Sequence, residues 1–309
     1  MKQSFGCKDE TCWIDHTVPE ETTRHRGARQ SLLSLYRPKI PQTFVEKPSS
    51  WWSTSMIQSV MEPYRYAYPF YWCGVVPLDF KEQKAVSICL SREACAVDMK
   101  QLLDNGCCIV GVIFNLDYSW ESGSHWVAGM VDIKRGDVCF FDSYGYEPLK
   151  LIQEWLDNCR NSLNRFALKG TWANTEERIL RLSEDDVGWS NNKTVSVQVP
   201  VSHRLKIDKG HIFISNKTKR KFVVEVRKDR KVFQLNRSTR KEERESGWQV
   251  VGARVHSLSR KVQTSLTECG SYSIHVLLSA IHGKSWHSIL KSLPKDKEIK
   301  QLRQTLFRS

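Results

Sequence analysis

Apolar residues along this chain keep two rhythms, and the places where one gives way to the other outline its architecture. In SSWWSTSMIQSVMEPYRY, Met56, Ile57, Val60 and Met61 recur at helical spacing behind serines and threonines able to cap, which predicts a helix from about Ser53 that stops by Pro63. After the aromatic run PFYWCGVVPLDF, the segment REACAVDMKQLLDNG reads as a second helix ended by Gly106. Three short, nearly continuous apolar runs follow, CCIVGVIFNL, HWVAGMVDI and DVCFFDS, the last two parted by Lys134, Arg135 and Gly136 as a turn. Such runs predict strands at the centre of a sheet. PLKLIQEWLDNCRNSL then returns to an amphipathic helical rhythm.

Beyond this helix the rhythm shortens. TVSVQV, HIFIS, KFVVEV and KVFQL are β-rich and separated by Asn, Lys, Asp and Gly, so residues 170–253 are predicted to be an inserted all-β subdomain. VGARVHSLSRKVQ resumes as a strand, SYSIHVLLSAIHG is apolar enough for a helix buried on most sides, and GKSWHSILKSL and PKDKEIKQLRQTLF supply two terminal helices. The implied organisation is a polar, proline-bearing arm at 1–45, a core in two parts at 46–169 and 254–309, and the insertion between them.

Composition adds compartment and charge. The 309 residues have room for a sizeable core, and the 10 cysteines keep no regular spacing, so a reduced, intracellular setting is expected rather than a disulfide framework. The N-terminal MKQSFGCKDETCWIDH has no apolar signal core, and the longest apolar run is far short of a membrane span. Cys7, Cys12 and His16 fit no ligand spacing with a fourth partner, so no metal or other cofactor is expected. Of the net charge of +13, the stretch from His203 to Glu245 carries +9, from fifteen Lys or Arg against six Asp or Glu. Lys217, Lys219, Arg220, Lys221, Arg227, Lys228, Arg230 and Lys231 could form a patch drawn to DNA or an acidic protein. They serve equally well as solvated strand faces.

The candidate chemistry begins with Cys269 in QTSLTECGSYSIH. It stands at the first turn of the apolar helix, where unpaired backbone N–H groups and the helix dipole favour thiolate over thiol. A lone cysteine there is also compatible with plain burial. A thiol nucleophile needs a base, a group to orient the base and donors for the oxyanion. GSHWVAGMVDIKRGDVCFFDS puts His125 at the start of one strand and Asp142 at the end of the next, and an antiparallel hairpin brings those ends side by side.

HW, FDS seventeen residues after the histidine, and Gln-five residues-Cys-Gly together resemble the signature of the SUMO-specific (ubiquitin-like-protein-specific) cysteine protease superfamily. GSHWVAG, FFDSYGYEP and TECGSYSI are similar to the adenovirus protease and to proteases of large cytoplasmic DNA viruses. The resemblance spans about residues 48–163 and 254–293. It implies an α+β, papain-like protease core, a mixed sheet flanked by helices with the nucleophile at a helix N-terminus, interrupted by the basic β-rich insertion.

By the same resemblance Cys269 is the nucleophile, His125 the base and then the acid, Asp142 the residue orienting His125, and Gln263 a side-chain oxyanion donor. Trp126 would help form a narrow channel for a small-residue tail, and Trp52 corresponds to a family tryptophan opening the first helix, although either indole is also a natural core residue. Here the family's W-L-N-D-like motif reads WSTS, with Ser55 in place of its acid. Gly123 and Gly270 are expected to keep side chains out of the cleft. The implied function is an endopeptidase that cuts proteins or polyproteins after Gly or Ala during virion maturation, in the host cytoplasm or viral factory or packaged in the virion. Removal of SUMO or ubiquitin, acetyl transfer on the same three residues, and a non-catalytic virion or nucleic-acid scaffold stay open as alternatives.

Overall fold

The computed structural model describes residues 10–17, 23–81, 89–167 and 253–308, together with seven strands between 180 and 251. Its centre is a five-stranded mixed sheet in the order β1–β2–β3–β4–β12, formed by β1 (Phe70–Val76), β2 (Ile109–Asn115), β3 (Trp126–Asp132), β4 (Asp137–Phe141) and β12 (Arg254–Ser257). The β2–β3 and β3–β4 pairs are antiparallel, while the outer pairs β1–β2 and β4–β12 are parallel.

The inner strands are apolar at nearly every position because both faces are covered. Ile109, Ile113, Ala128, Met130, Cys139 and Phe141 face the core around the helix that begins at Cys269. Val110, Val112, Phe114, Val127, Val131, Val138 and Phe140 face the helix Lys150–Ala167, whose Ile152, Trp155, Leu156, Cys159 and Leu163 fill that side. Period-two alternation therefore survives in the packing although hydropathy alone hides it.

In chain order the helices are α1 (Glu10–Thr17), α2 (Thr23–Tyr36), α3 (Gln42–Glu46), α4 (Thr54–Met61), α5 (Tyr64–Ala67), α6 (Arg92–Cys95), α7 (Met99–Asp104), α8 (Lys150–Ala167), α9 (Cys269–Ile281), α10 (Trp286–Lys291) and α11 (Asp296–Leu306). Ser53 caps α4, accepting from the Met56 N–H at 3.2 Å. The single helix expected over REACAVDMKQLLD is two, because Asp98 breaks out to cap α7 and accepts from the N–H groups of Lys100 and Gln101. The edge strand β1 was not anticipated, since its aromatic sequence carries no alternation.

Two further expectations change. The described part of the N-terminal arm is helical and packed, with Ile14, Tyr36 and Phe44 in the core. Glu10 accepts hydrogen bonds from Tyr64 Oη at 3.2 Å and from Tyr68, and pairs with His282 Nε2 at 3.1 Å, just beyond α9. Cys89 and Cys95 are joined as a disulfide that their irregular spacing did not suggest.

The insertion's strands β5 (Leu180–Leu182), β6 (Val187–Ser190), β7 (Thr194–Val197), β8 (Ile212–Ser215), β9 (Lys221–Val226), β10 (Phe233–Asn236) and β11 (Trp248–Val251) make one antiparallel sheet. Their order is β5–β11–β8–β9–β10–β7–β6. Lys221 opens β9, whereas Lys217, Lys219, Arg220, Arg227, Lys228, Arg230 and Lys231 lie outside the described residues.

Candidate active site

Four segments converge at one end of the central sheet. His125 immediately precedes β3, Asp142 immediately follows β4, Cys269 is the first residue of α9, and Gln263 lies in the segment between β12 and α9. His125 Nε2 and Asp142 Oδ1 are 2.7 Å apart, with both residues buried. With Nε2 committed to Asp142, Nδ1 is the nitrogen left for Cys269. Burial alone would lower the His125 pKa, but hydrogen bonds to Asp142 and Cys269, reinforced by their negative charge, push it up to about 9. An imidazolium held between a carboxylate and a sulfur is the arrangement a thiolate nucleophile requires.

Rigid contacts set the thiol in this place. Ser273, one turn into α9, donates to the Trp126 carbonyl at 3.2 Å and ties the helix of Cys269 to the strand that follows His125. Glu268, just before the thiol, is 2 % exposed and pairs with Arg303 of α11, Nε to Oε2 at 3.2 Å. Arg303 also donates to the carbonyls of Thr267 at 2.8 Å, of Pro48 at 3.1 Å and of Ser50 at 2.5 Å, and lies over the Phe44 ring. One guanidinium therefore fixes both the loop before Cys269 and the turn that leads into Trp52.

Gln263 is fully buried, and its backbone N–H donates to the Ser143 carbonyl at 3.0 Å. Its side-chain Oε1 accepts from Ser143 Oγ at 2.6 Å, and Nε2 donates to the Ser265 carbonyl at 2.8 Å and to Tyr144 Oη at 3.3 Å. Ser143, the residue after Asp142, thus orients the glutamine's amide. Tyr144 is the group that sequence reasoning missed. Its N–H donates to Asp142 Oδ1 at 2.8 Å, its ring stacks on His125 with centroids 4.9 Å apart, and its hydroxyl donates to the Ser265 carbonyl at 3.1 Å. The pairing Ala128↔Phe141, carried three residues further, would have set His125 opposite Tyr144, so the hairpin register held the clue.

The tryptophans and glycines divide the remaining work unevenly. Trp52 is buried, donating through Nε1 to Ser271 Oγ at 2.8 Å and stacking on Phe307. An added Cβ on Gly270 would come within 2.7 Å of the Trp52 ring. Gly270 therefore gives its space to that indole rather than to an incoming substrate, because α9 and Trp52 are in direct contact. Trp126 Nε1 donates to the Trp52 carbonyl at 3.0 Å, which fixes one indole against the other segment.

Next to them is a cavity of about 560 Å³ whose walls include Trp51, Trp52, Pro77, Tyr118, Gly123 and Trp126, but neither Cys269 nor His125. Trp51, 45 % exposed, is the indole of the WW pair that is open to solvent. Gly123 borders this cavity with its backbone against Asn115. Among the described residues no group of His, Cys, Asp and Glu could hold a metal ion.

Comparison with known proteins gives this arrangement a context. No family model matches the chain. A protein of Acanthamoeba polyphaga mimivirus named as a thiol protease (R355) is 38% identical over 137 residues, covering 44% of this chain and 40% of that protein. The cysteine protease S273R of African swine fever virus (strain Badajoz 1971 Vero-adapted) is 25% identical over 173 residues, covering 52% of this chain and 62% of that protein. The chain therefore matches only about half the length of these relatives. The crystal structure of the African swine fever virus pS273R protease superposes with a TM-score of 0.51 at 16% identity, covering 99% of this chain and 85% of that one, which shows a shared fold.

Proposed function

We propose that this chain, a relative of the viral SUMO-protease-like cysteine proteases, is a cysteine endopeptidase with Cys269 as nucleophile and His125 as its base. The observation that carries the reading is the buried His125–Asp142 contact of 2.7 Å, with Cys269, at a helix N-terminus, near enough to the same imidazole to help raise its pKa. Asp142 orients His125, and Gln263 donates to the oxyanion together with the Cys269 N–H.

The reaction follows from these positions. Cys269 Sγ bonds to the peptide carbonyl carbon, and the carbonyl π pair moves onto oxygen. The C–N bond then breaks, and the His125 imidazolium gives its proton to the leaving amine. Water, losing a proton to His125, attacks the thioester, and the carboxylate leaves as the sulfur–carbon bond breaks.

A small residue at the cut is supported by crowding. Cys269 is 3 % exposed, and the adjoining Trp126 and Trp52 are each held by hydrogen bonds, so little space remains for a side chain at the acyl position. Processing of viral structural proteins is supported by the viral origin of the relatives and by WSTS, which lacks the acid of the modifier-recognising motif. A second reading, removal of a ubiquitin-like modifier, has its support in the name SUMO-1 cysteine protease carried by swine fever relatives.

Cleavage of a peptide library by the full chain, alongside ubiquitin- and SUMO-tail thiol probes, tests both. Cys269→Ala should abolish cleavage with unchanged circular dichroism and melting temperature, and an active Cys269→Ala chain would end the proposal. Capture by a modifier probe but no cleavage of free peptides would move the assignment to the second reading. Acetylation of Cys269 by acetyl-CoA without peptide cleavage would move it to acetyl transfer.

A further inference from the structure

The hydroxyl of Tyr144 stands where the glutamine of the site points, and two long hydrogen bonds hold it there. Gln263 donates to it at 3.3 Å, and it donates to the Ser265 carbonyl at 3.1 Å. Gln263 does not need this contact for its orientation, because the Ser143 and Ser265 bonds, at 2.6 and 2.8 Å, already fix both ends of its amide. The tyrosine is nevertheless held firmly. Its N–H is on Asp142 Oδ1, one face stacks against His125, and Lys261 Nζ lies 5.0 Å from the ring centroid.

From this geometry we infer that Tyr144 is a further catalytic residue, a third oxyanion donor whose O–H turns from the Ser265 carbonyl to the substrate oxygen as negative charge develops. The inference rests on the peptidase reading above. As the Cys269 sulfur–carbon bond forms and the carbonyl pair localises on oxygen, Gln263 and Tyr144 exchange their mutual 3.3 Å contact for charge-assisted bonds to that oxygen. No proton changes owner, because Tyr144 keeps its O–H throughout. Weak bonds in the free site and strong ones in the transition state are what differential stabilisation requires. Burial and the negative charge at Cys269 and Asp142 raise the Tyr144 pKa, so the donor stays protonated over the working range.

Tyr144→Phe keeps the stacking and deletes only the donor, so it should lower kcat on a Gly-Gly-aminocoumarin peptide by on the order of 10²-fold with KM nearly unchanged. Binding of a Gly-Gly peptide aldehyde, whose hemithioacetal carries the same oxygen, should weaken in parallel. Each is read against alkylation of Cys269 by iodoacetamide, which develops no oxyanion, in the same variant. In a Gln263→Ala background the Tyr144→Phe loss should shrink, because the two donors share one oxygen.

Loss of alkylation in step with cleavage would overturn the inference, showing that the ring acts only through His125. Cleavage and aldehyde binding within twofold of wild type would overturn it as well. A wild-type chain with no Cys269-dependent cleavage would instead remove the peptidase reading on which the inference rests.

Discussion

At the scale of single residues, the behaviour of His125 follows from its two neighbours. Its folded pKa of about 9 lies above the ordinary histidine value of about 6.5. Its contribution to stability is therefore complete below about pH 6.5 and fades as pH rises through about 9. The stability gap between wild type and His125→Gln in urea should narrow between pH 6 and pH 9.5. Activity should fall above about pH 9 as the imidazolium loses its proton. Asp142→Asn should move that alkaline limb to lower pH and cut kcat by orders of magnitude, because the imidazole loses the charge that orients it and holds its proton. At Gly270 the constraint is space, since a methyl group would meet the Trp52 ring at 2.7 Å. Gly270→Ala should cost roughly 1–3 kcal/mol in denaturant unfolding.

Gly145 shows another limit of this kind. Its φ is +78°, and a Cβ would lie 2.5 Å from the Arg260 backbone, so the turn that carries Tyr144 needs glycine. His125, Asp142 and Cys269 could be singled out because chemistry restricts their residue types, and Gln263 through the family resemblance. Tyr144 and Trp51 could not, because their positions depend on how the hairpin ends and on which of two adjacent indoles turns inward.

At the scale of elements, long-range contacts determine what sequence rhythm leaves open. The three central strands and α8 were legible from local pattern because the strands bury both faces and α8 buries one. The break at Asp98, the edge strand β1 and the packed arm were not, since they depend on a cap, a parallel neighbour and a distant surface. The tie between α11 and the loop before Cys269 belongs to the same class. Glu268 and Arg303 are 35 residues apart, both nearly fully buried, and no local pattern joins them. Removing one partner leaves a buried charge, so Arg303→Met should destabilise the chain by about 3–5 kcal/mol, whereas Arg303→Met with Glu268→Gln should recover much of that loss. Chemical denaturation of the two variants measures the difference.

At the scale of the whole molecule, acid stability and the insertion are the open ends. His275 of α9 is held largely out of water, and burial, with a smaller effect from Lys284, lowers its pKa to about 4. Between about pH 6.5 and 4 the unfolded chain binds a proton that the folded one refuses, so stability falls as pH drops through that window. Asp296 adds to the acid side. It is desolvated, yet hydrogen bonds from Thr264, Ser265 and Tyr272 outweigh burial and lower its pKa, so protonation weakens its hold on the segment next to Gln263. His275→Gln should flatten the stability profile between pH 6.5 and 4 in thermal melts. Should the basic stretch from 203 to 245 bind DNA, the affinity would fall steeply with salt and survive Cys269→Ala, and salt-independent or absent binding would leave it a solvated face.

The most direct test of the central claim is the site of covalent capture. The intact chain should be treated with a Gly-Gly peptide vinyl sulfone and the modified residue mapped by mass spectrometry. Cys269 should carry the adduct, and His125→Ala should slow its formation severely. Reaction at the partly exposed Cys107 or Cys108 instead, or an adduct at Cys269 that forms as fast without His125, would contradict the account.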